Sequence, residues 1–123
     1  MLLEIRPGLT GESRLVVAAE HTAPRVGSGK VHVLATPVMI NVIEAAALAA
    51  VERFLPPGYQ SLGTLLHVRH IAATPVGMEV KARVEVTGVT GRTIAFSVLV
   101  SDEKETVGDG MAEVRARFGC NRA

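Results

Sequence analysis

Three side chains of this 123-residue chain have types and positions that suit acid–base or nucleophilic chemistry. Glu44 is the only charged residue between Thr36 and Val51, in the most apolar stretch of the sequence. Burial of an unpaired carboxylate is costly, and such groups concentrate at functional sites. Glu44 is therefore a candidate nucleophile or general base. The structural alternative is a carboxylate that reaches solvent or pairs with an arginine such as Arg69.

His70 and Thr36 are the other two candidates. His70 follows an apolar alternation beside Leu66 and Val68, which would place an imidazole that titrates near neutral pH on an interior face. Its structural alternative is a core histidine bonded to a backbone carbonyl. Thr36 is a plausible helix N-cap, at a position where free backbone N–H groups also favour negative charge. Each residue alone thus has a structural explanation, and only their combination points to chemistry.

A long helix is predicted to carry Thr36 and Glu44. Thr36 as the N-cap and Pro37 at the first helical position indicate its start. Five alanines between residues 45 and 50 favour helix, and the sequence Pro56-Pro57-Gly58 ends it. Because the segment is apolar nearly all round, we expect it to be buried on most sides.

Strands are predicted on both sides of this helix. Alternation of apolar and polar residues indicates one strand at residues 13–20 and four after the helix, at 61–71, 78–87, 92–101 and 107–118. Hairpin turns are expected at 74–77, 88–92 and 101–105. Leu62 is expected to share a face with His70, and Gly108 and Gly110 indicate a bulge or a close backbone approach. The result is an α+β fold, with four strands in an antiparallel meander curled around one helix.

Composition excludes several classes of function. With 48% hydrophobic and 20% charged residues, the chain is predicted to form one globular domain over residues 1–123. A net charge of +1 and 3% aromatic residues argue against nucleic-acid binding. The apolar run 35–51 is too short and too polar for a membrane span, and the N-terminus does not resemble a signal peptide, so a cytoplasmic location is expected. The single Cys120 is expected to be an idle thiol.

The sequence resembles the fluoroacetyl-CoA thioesterase-like family of hotdog proteins. The resemblance rests on Ala35-Thr36-Pro37, on the Glu-Ala-Ala that begins at Glu44, and on the His-x-Ala-x-Thr-Pro-x-Gly that begins at His70. The spacing of the threonine, the glutamate and the histidine also fits that family. The similarity extends from about Gly27 to Gly110.

The resemblance implies a hotdog fold and an acyl-CoA thioesterase that releases a small carboxylic acid and CoA. Glu44 would attack the thioester or activate water, Thr36 would hydrogen-bond Glu44, and His70 would transfer a proton or orient water. Gly63 would lie close to the bound thioester, although packing is an equal explanation for this glycine. The family further implies a homodimer or larger oligomer, with sheets joined edge to edge and sites at the interface. No metal or redox cofactor is implied.

The last strand departs from the family pattern. Family members often carry Gly-x-His-x-Arg there, whereas Ala112 and Val114 occupy the histidine and arginine positions and Arg115 is one place off. A non-catalytic acyl-CoA-binding hotdog protein is therefore the main alternative. A hydratase is a weaker one, since its Asp–His motif is absent, and a likeness in fold alone would leave Glu44 structural. The low aromatic content gives no sign of an aromatic lid, so fluoroacetate is not predicted as the substrate.

Overall fold

The structure is a computed structural model that describes residue 2 and residues 4–119, so Cys120 lies outside the described residues. Its strands are β1 (Thr10–Val16), β2 (Tyr59–His70), β3 (Glu79–Thr90), β4 (Thr93–Asp102) and β5 (Thr106–Phe118). Its α-helices are α1 (Ala23–Val26) and α2 (Thr36–Val51), and short 3-10 turns cover Ala19–His21 and Glu52–Phe54. No helix in the described part of the chain is long and apolar enough to cross a membrane.

The five strands form one antiparallel sheet that curls around α2, which confirms the predicted fold class. The order of strands in the sheet is β1-β3-β4-β5-β2. The predicted meander is wrong at its first step, because β2 pairs with β5 and the segment 71–78 crosses to the other side of the sheet. The expected turn at 74–77 belongs to this crossover, while the other two turns do close hairpins. Alternation predicts the faces of a strand but not its partner, which is why the pairing was missed.

One side of α2 packs into the concave face of the sheet. The buried residues of this helix are Val38, Met39, Val42, Ile43, Ala46, Ala47, Ala50 and Val51. Its opposite side is exposed in the single chain and carries Asn41, Glu44, Ala45, Leu48 and Ala49. The expectation of burial on most sides is therefore wrong for one chain, because the sheet covers only half of the helix.

A β-bulge divides β2 into two parts. The register with β5 shifts between Gly63 and Leu65, so Thr64 is an extra residue. The bulge reverses the alternation, which places Gly63 on the inner face with His70 and leaves Leu62 43% exposed on the other face. The expectation that Leu62 shares the face of His70 is therefore wrong.

The two glycines of β5 allow the close backbone approach that the sequence predicted. A Cβ atom on Gly108 would come within 2.8 Å of the Arg69 carbonyl oxygen and 2.9 Å of the Met39 sulfur. Gly110 has a φ of 148°, and a Cβ there would collide with the backbone of His67. These contacts fix β5 against β2, the strand that ends at His70.

Candidate active site

The structure brings two of the three candidate residues together. Thr36 is the first residue of α2 and His70 is the last residue of β2. The N-cap is Ala35, so the predicted capping role of Thr36 is wrong and its hydroxyl is available for another partner. Thr36 Oγ1 and His70 Nδ1 share a hydrogen bond of 2.7 Å. The end of a helix and the end of a strand therefore hold a hydroxyl and an imidazole in contact.

The His70 ring is half-buried and only partly satisfied. Burial lowers the pKa of the imidazole below its usual value, and a backbone contact from Ala72 partly opposes this shift. Burial therefore favours the neutral form of the ring. Its Nε2 atom is buried and has no hydrogen-bond partner among the described residues. A buried polar atom without a partner is uncommon in native proteins.

Glu44 lies elsewhere on the surface of the same chain. Its carboxylate packs directly over Gly63, where any Cβ atom would collide with Oε2. The packing explanation for this glycine therefore applies. The suggested pair between Glu44 and Arg69 is wrong, because Arg69 forms an ion pair of 2.8 Å with Asp109. None of the ion pairs found in residues 4–119 includes Glu44.

Two separate clusters thus result within one chain, Thr36 with His70 and Glu44 with Gly63. Thr36 and Glu44 are two helical turns apart, roughly 12 Å along the axis of α2. Gly63 and His70 are separated by roughly 20 Å along β2. The predicted hydrogen bond between Thr36 and Glu44 is consequently absent from the single chain, where the threonine bonds the histidine.

A cavity of about 350 Å³ adjoins the Thr36–His70 pair, and we call it the acyl-side cavity. The rest of its wall is small or aliphatic and includes Ala23, Ser28, Val33, Leu34, Ile71 and Ala72. Sequence reasoning missed these residues, because they come from the loop before α2 and from the crossover after β2, which carry no periodic pattern. The Leu34 amide donates to the Thr74 carbonyl at 2.8 Å and holds the two segments together.

A second hollow, of about 280 Å³, lies beside Glu44. Leu48, Leu62, Gly63 and Val114 contribute to its wall. Val114 is one of the two positions at which the last strand departs from the family pattern, so an apolar side chain lies here where the family often has arginine. In the described part of the chain, no three His, Cys, Asp or Glu side chains are grouped as a metal site would require.

Comparisons with known proteins identify the family. The sequence profile of the fluoroacetyl-CoA-specific thioesterase family matches residues 17–116. The chain belongs to this family. The fluoroacetyl-CoA thioesterase of Streptantibioticus cattleyicolor is 38% identical over 81 residues, which are 66% of this chain and 58% of that relative. The chain thus spans 58% of the length of the curated relative it matches.

Solved structures confirm the hotdog fold. The structure of the fluoroacetyl-CoA thioesterase FlK superimposes with a TM-score of 0.88 at 30% identity, over 93% of this chain and 89% of that one. A hot-dog-like protein from Thermanaerovibrio acidaminovorans superimposes with a TM-score of 0.84 over 94% of this chain and 85% of that one. At 20% identity the second similarity concerns the fold alone.

Proposed function

We propose that this member of the fluoroacetyl-CoA-specific thioesterase family is an acyl-CoA thioesterase that uses Thr36, Glu44 and His70. The observation that carries the proposal is the 2.7 Å hydrogen bond between Thr36 and His70 at the wall of a cavity lined mainly by small and aliphatic residues. Related enzymes support the substrate class. A variant of FlK was solved in complex with acetyl-CoA, and another in complex with fluoroacetate and CoA.

The separation of Glu44 from the Thr36–His70 pair is explained if the site is shared between two subunits. β2 is an edge strand, and its outer side has no partner strand among the described residues. Leu62 and Leu65 on this strand are 43% and 46% exposed, and Leu48 on the neighbouring exposed side of α2 is 39% exposed. An unpaired apolar edge favours the addition of another strand, and a second copy of the same chain is the simplest source. We therefore infer a homodimer in which the two β2 strands pair.

The β2 bulge gives this pairing a consequence for the site. In an antiparallel self-pairing centred on His67, Leu66 lies opposite Val68. Thr64 is the extra residue of the bulge, so Gly63 then lies opposite the partner's His70. Since the carboxylate of Glu44 covers Gly63, it would be carried to the Thr36–His70 pair of the other subunit. Two identical sites would result, each with one residue from the partner.

The chemistry follows from this arrangement. Glu44 of the partner subunit would attack the thioester carbonyl carbon and form an acyl-enzyme anhydride, which water then hydrolyses, or it would take a proton from a water molecule that attacks directly. In either route the C–S bond breaks, and the sulfur leaves as a thiolate that gains a proton. His70 would transfer this proton or orient water, while the hydrogen bond between Thr36 and Nδ1 fixes the orientation of the imidazole. The products are a carboxylic acid and CoA.

Mixed dimers test both the residues and the sharing of the site. Glu44→Ala and His70→Ala variants, each inactive alone, would be co-expressed with different tags, and mixed dimers would be assayed for thiol release from acyl-CoA. Each mixed dimer carries one complete site of its two, so the isolated mixed dimers should show about half of the wild-type rate per dimer.

Three outcomes contradict parts of the proposal. Mixed dimers that form but stay inactive, beside an active wild type, would show that Glu44 and His70 act within one chain. A wild-type protein that runs as a monomer would remove the shared site altogether. Saturable binding of acyl-CoA without turnover by the wild type would replace the thioesterase with a non-catalytic acyl-CoA-binding protein.

A further inference from the structure

The acyl-side cavity is larger than an acetyl group requires. Its volume of about 350 Å³ equals that of roughly a dozen water molecules, and it lies at the lower end of the range for small-molecule sites. Beyond Thr36 and His70, its wall consists of alanine, valine, leucine, isoleucine and one serine. No aromatic side chain in the described part of the chain contributes to this wall. A two-carbon acyl group would leave most of this space to water.

Exposed aliphatic side chains occur in the two chain segments that contribute to the cavity wall. Val26 and Val31 flank the loop that contributes Ser28, and they are 42% and 67% exposed. Ile71 and Val76 belong to the crossover after β2 and are 52% and 51% exposed. Four of the exposed large aliphatic residues thus belong to the two segments that form the wall. Clusters of this kind mark surfaces that contact apolar ligands or partners.

We infer that the acyl-side cavity accepts a saturated aliphatic acyl chain of roughly four to eight carbons, which would occupy a volume of that order. The inference rests on the proposed function, since Thr36 and His70 would then hold the thioester at one end of the cavity. The chain would extend from this pair between the loop before α2 and the crossover after β2. The substrate class would thus be short- to medium-chain acyl-CoA instead of acetyl-CoA or fluoroacetyl-CoA.

The wall offers no charged group for a substituted chain. Its polar side chains are Thr36, His70 and Ser28, and the nearest cation along the loop is the exposed Lys30, two residues after Ser28. A chain that ends in a carboxylate would have to place its charge among aliphatic side chains or reach Lys30 outside the cavity. Desolvation of that charge disfavours it relative to a methyl terminus.

Chain-length profiles test the inference. The wild type would be assayed with acetyl-, fluoroacetyl-, butyryl-, hexanoyl-, octanoyl- and glutaryl-CoA. Ala73→Leu and Ser28→Leu would fill the cavity from two sides, at lining positions that are exposed to solvent. Ala95→Leu, on the half-buried outer side of β4, serves as the matched control for an added apolar side chain.

The expected result is a kcat/KM for hexanoyl-CoA at least about tenfold above that for acetyl-CoA, because each methylene bound in an apolar pocket contributes roughly tenfold. Either filling variant should lower this ratio about tenfold, while Ala95→Leu leaves it unchanged. Preference for acetyl-CoA, fluoroacetyl-CoA or glutaryl-CoA would overturn the inference and leave the thioesterase intact. So would an unchanged ratio in both filling variants. Absence of turnover on the whole panel would instead refute the proposed function.

Discussion

The two clusters along α2 differ in how complete they are within one chain. At the start of the helix, Thr36 and His70 are joined by a hydrogen bond and backed by a cavity. Two turns later, Glu44 is exposed, makes no ion pair with the described residues, and packs over a glycine on an edge strand. The first cluster is built by the chain's own fold. The second lies on the surface where the fold has left an edge open.

The two clusters place different requirements on the sequence. The Thr36–His70 pair needs a helix start and a strand end to meet, which the crossover of the single chain accomplishes. Glu44 instead needs a residue without a side chain beneath it, and Gly63 provides that space. Under the proposed pairing of two β2 strands, the second cluster is the one that a partner would cover.

The largest effect on activity is expected when the charge of Glu44 is removed, which tests whether the two clusters act together. Glu44→Gln keeps the shape of the side chain but removes the charge, so the nucleophile or general base would be lost. We expect kcat for acyl-CoA hydrolysis to fall about a thousandfold. The free energy of unfolding should change by less than about 0.5 kcal/mol, because the side chain is exposed. Thiol-release kinetics and thermal unfolding measure the two effects.

Glu52→Gln is the matched control, since Glu52 is also exposed and lies at the end of the same helix. This substitution should leave both kcat and the free energy of unfolding unchanged. If Glu44→Gln retained the wild-type rate, the carboxylate would have no catalytic role, and the exposed cluster would serve only the contact between subunits.

The next largest effect is expected from Gly63→Ala. The added methyl group would collide with the carboxylate of Glu44 and push it away from its position over β2. Displacement of a reacting group by about 1 Å costs up to about a hundredfold in rate, so kcat should fall by roughly ten- to a hundredfold. The fold should persist, because the displaced group is the end of a flexible, exposed side chain.

Gly88→Ala provides the control for this substitution. Gly88 also lies within a strand, and no atom lies within 4 Å of a Cβ placed there. Steady-state kinetics of both variants, beside circular dichroism, would separate displacement of Glu44 from a general cost of replacing glycine. Equal rates for the two variants would contradict the steric role of Gly63.

A smaller effect on kcat is expected when the hydrogen bond between Thr36 and His70 is removed. Thr36→Val removes the hydroxyl that bonds His70 Nδ1, while Thr36→Ser keeps it. Loss of one hydrogen bond of about 1 kcal/mol corresponds to roughly fivefold in kcat. The serine variant should therefore recover most of the activity that the valine variant loses. If the two variants behaved alike, the hydroxyl would not orient the imidazole.

The sequence predicted the helix, the number of strands and the three candidate residues, because all of them depend on local patterns. Alternation and helix formers define elements within a window of a few residues. The crossover of residues 71–78 was missed because strand partners are chosen by the whole sheet. The bulge at Thr64 was missed for a related reason, since one extra residue leaves no clear mark on the composition of a strand.

The candidate site was predicted in part for the same physical reason. His70 and Thr36 were identified by residue type, but their mutual hydrogen bond depends on how the crossover brings β2 to the start of α2. A carboxylate that reaches solvent was the structural alternative for Glu44, and the side chain is indeed exposed. The sequence could not decide between the alternatives, because an apolar helix gives no indication of which side its sheet leaves open. Ser28 and Ile71, which line the cavity, were missed because they belong to segments without a periodic sequence pattern.

The smallest effect concerns the free energy of unfolding as a function of pH, to which His70 of the Thr36–His70 cluster contributes. Burial lowers the pKa of His70 in the folded state below its usual value of 6.5. When the pH falls through 6.5, the unfolded chain therefore binds a proton at this position before the folded chain does, which lowers the free energy of unfolding. The loss should end below the folded-state pKa, where both states are protonated.

Denaturant unfolding between pH 8 and about pH 5 should show a gentle decline in the free energy of unfolding of the wild type, and His70→Gln should reduce this decline. His67→Gln, at an exposed position of the same strand, should leave the decline as it is. A decline that His70→Gln does not change would show that the imidazole is not desolvated by the loop and crossover that enclose it.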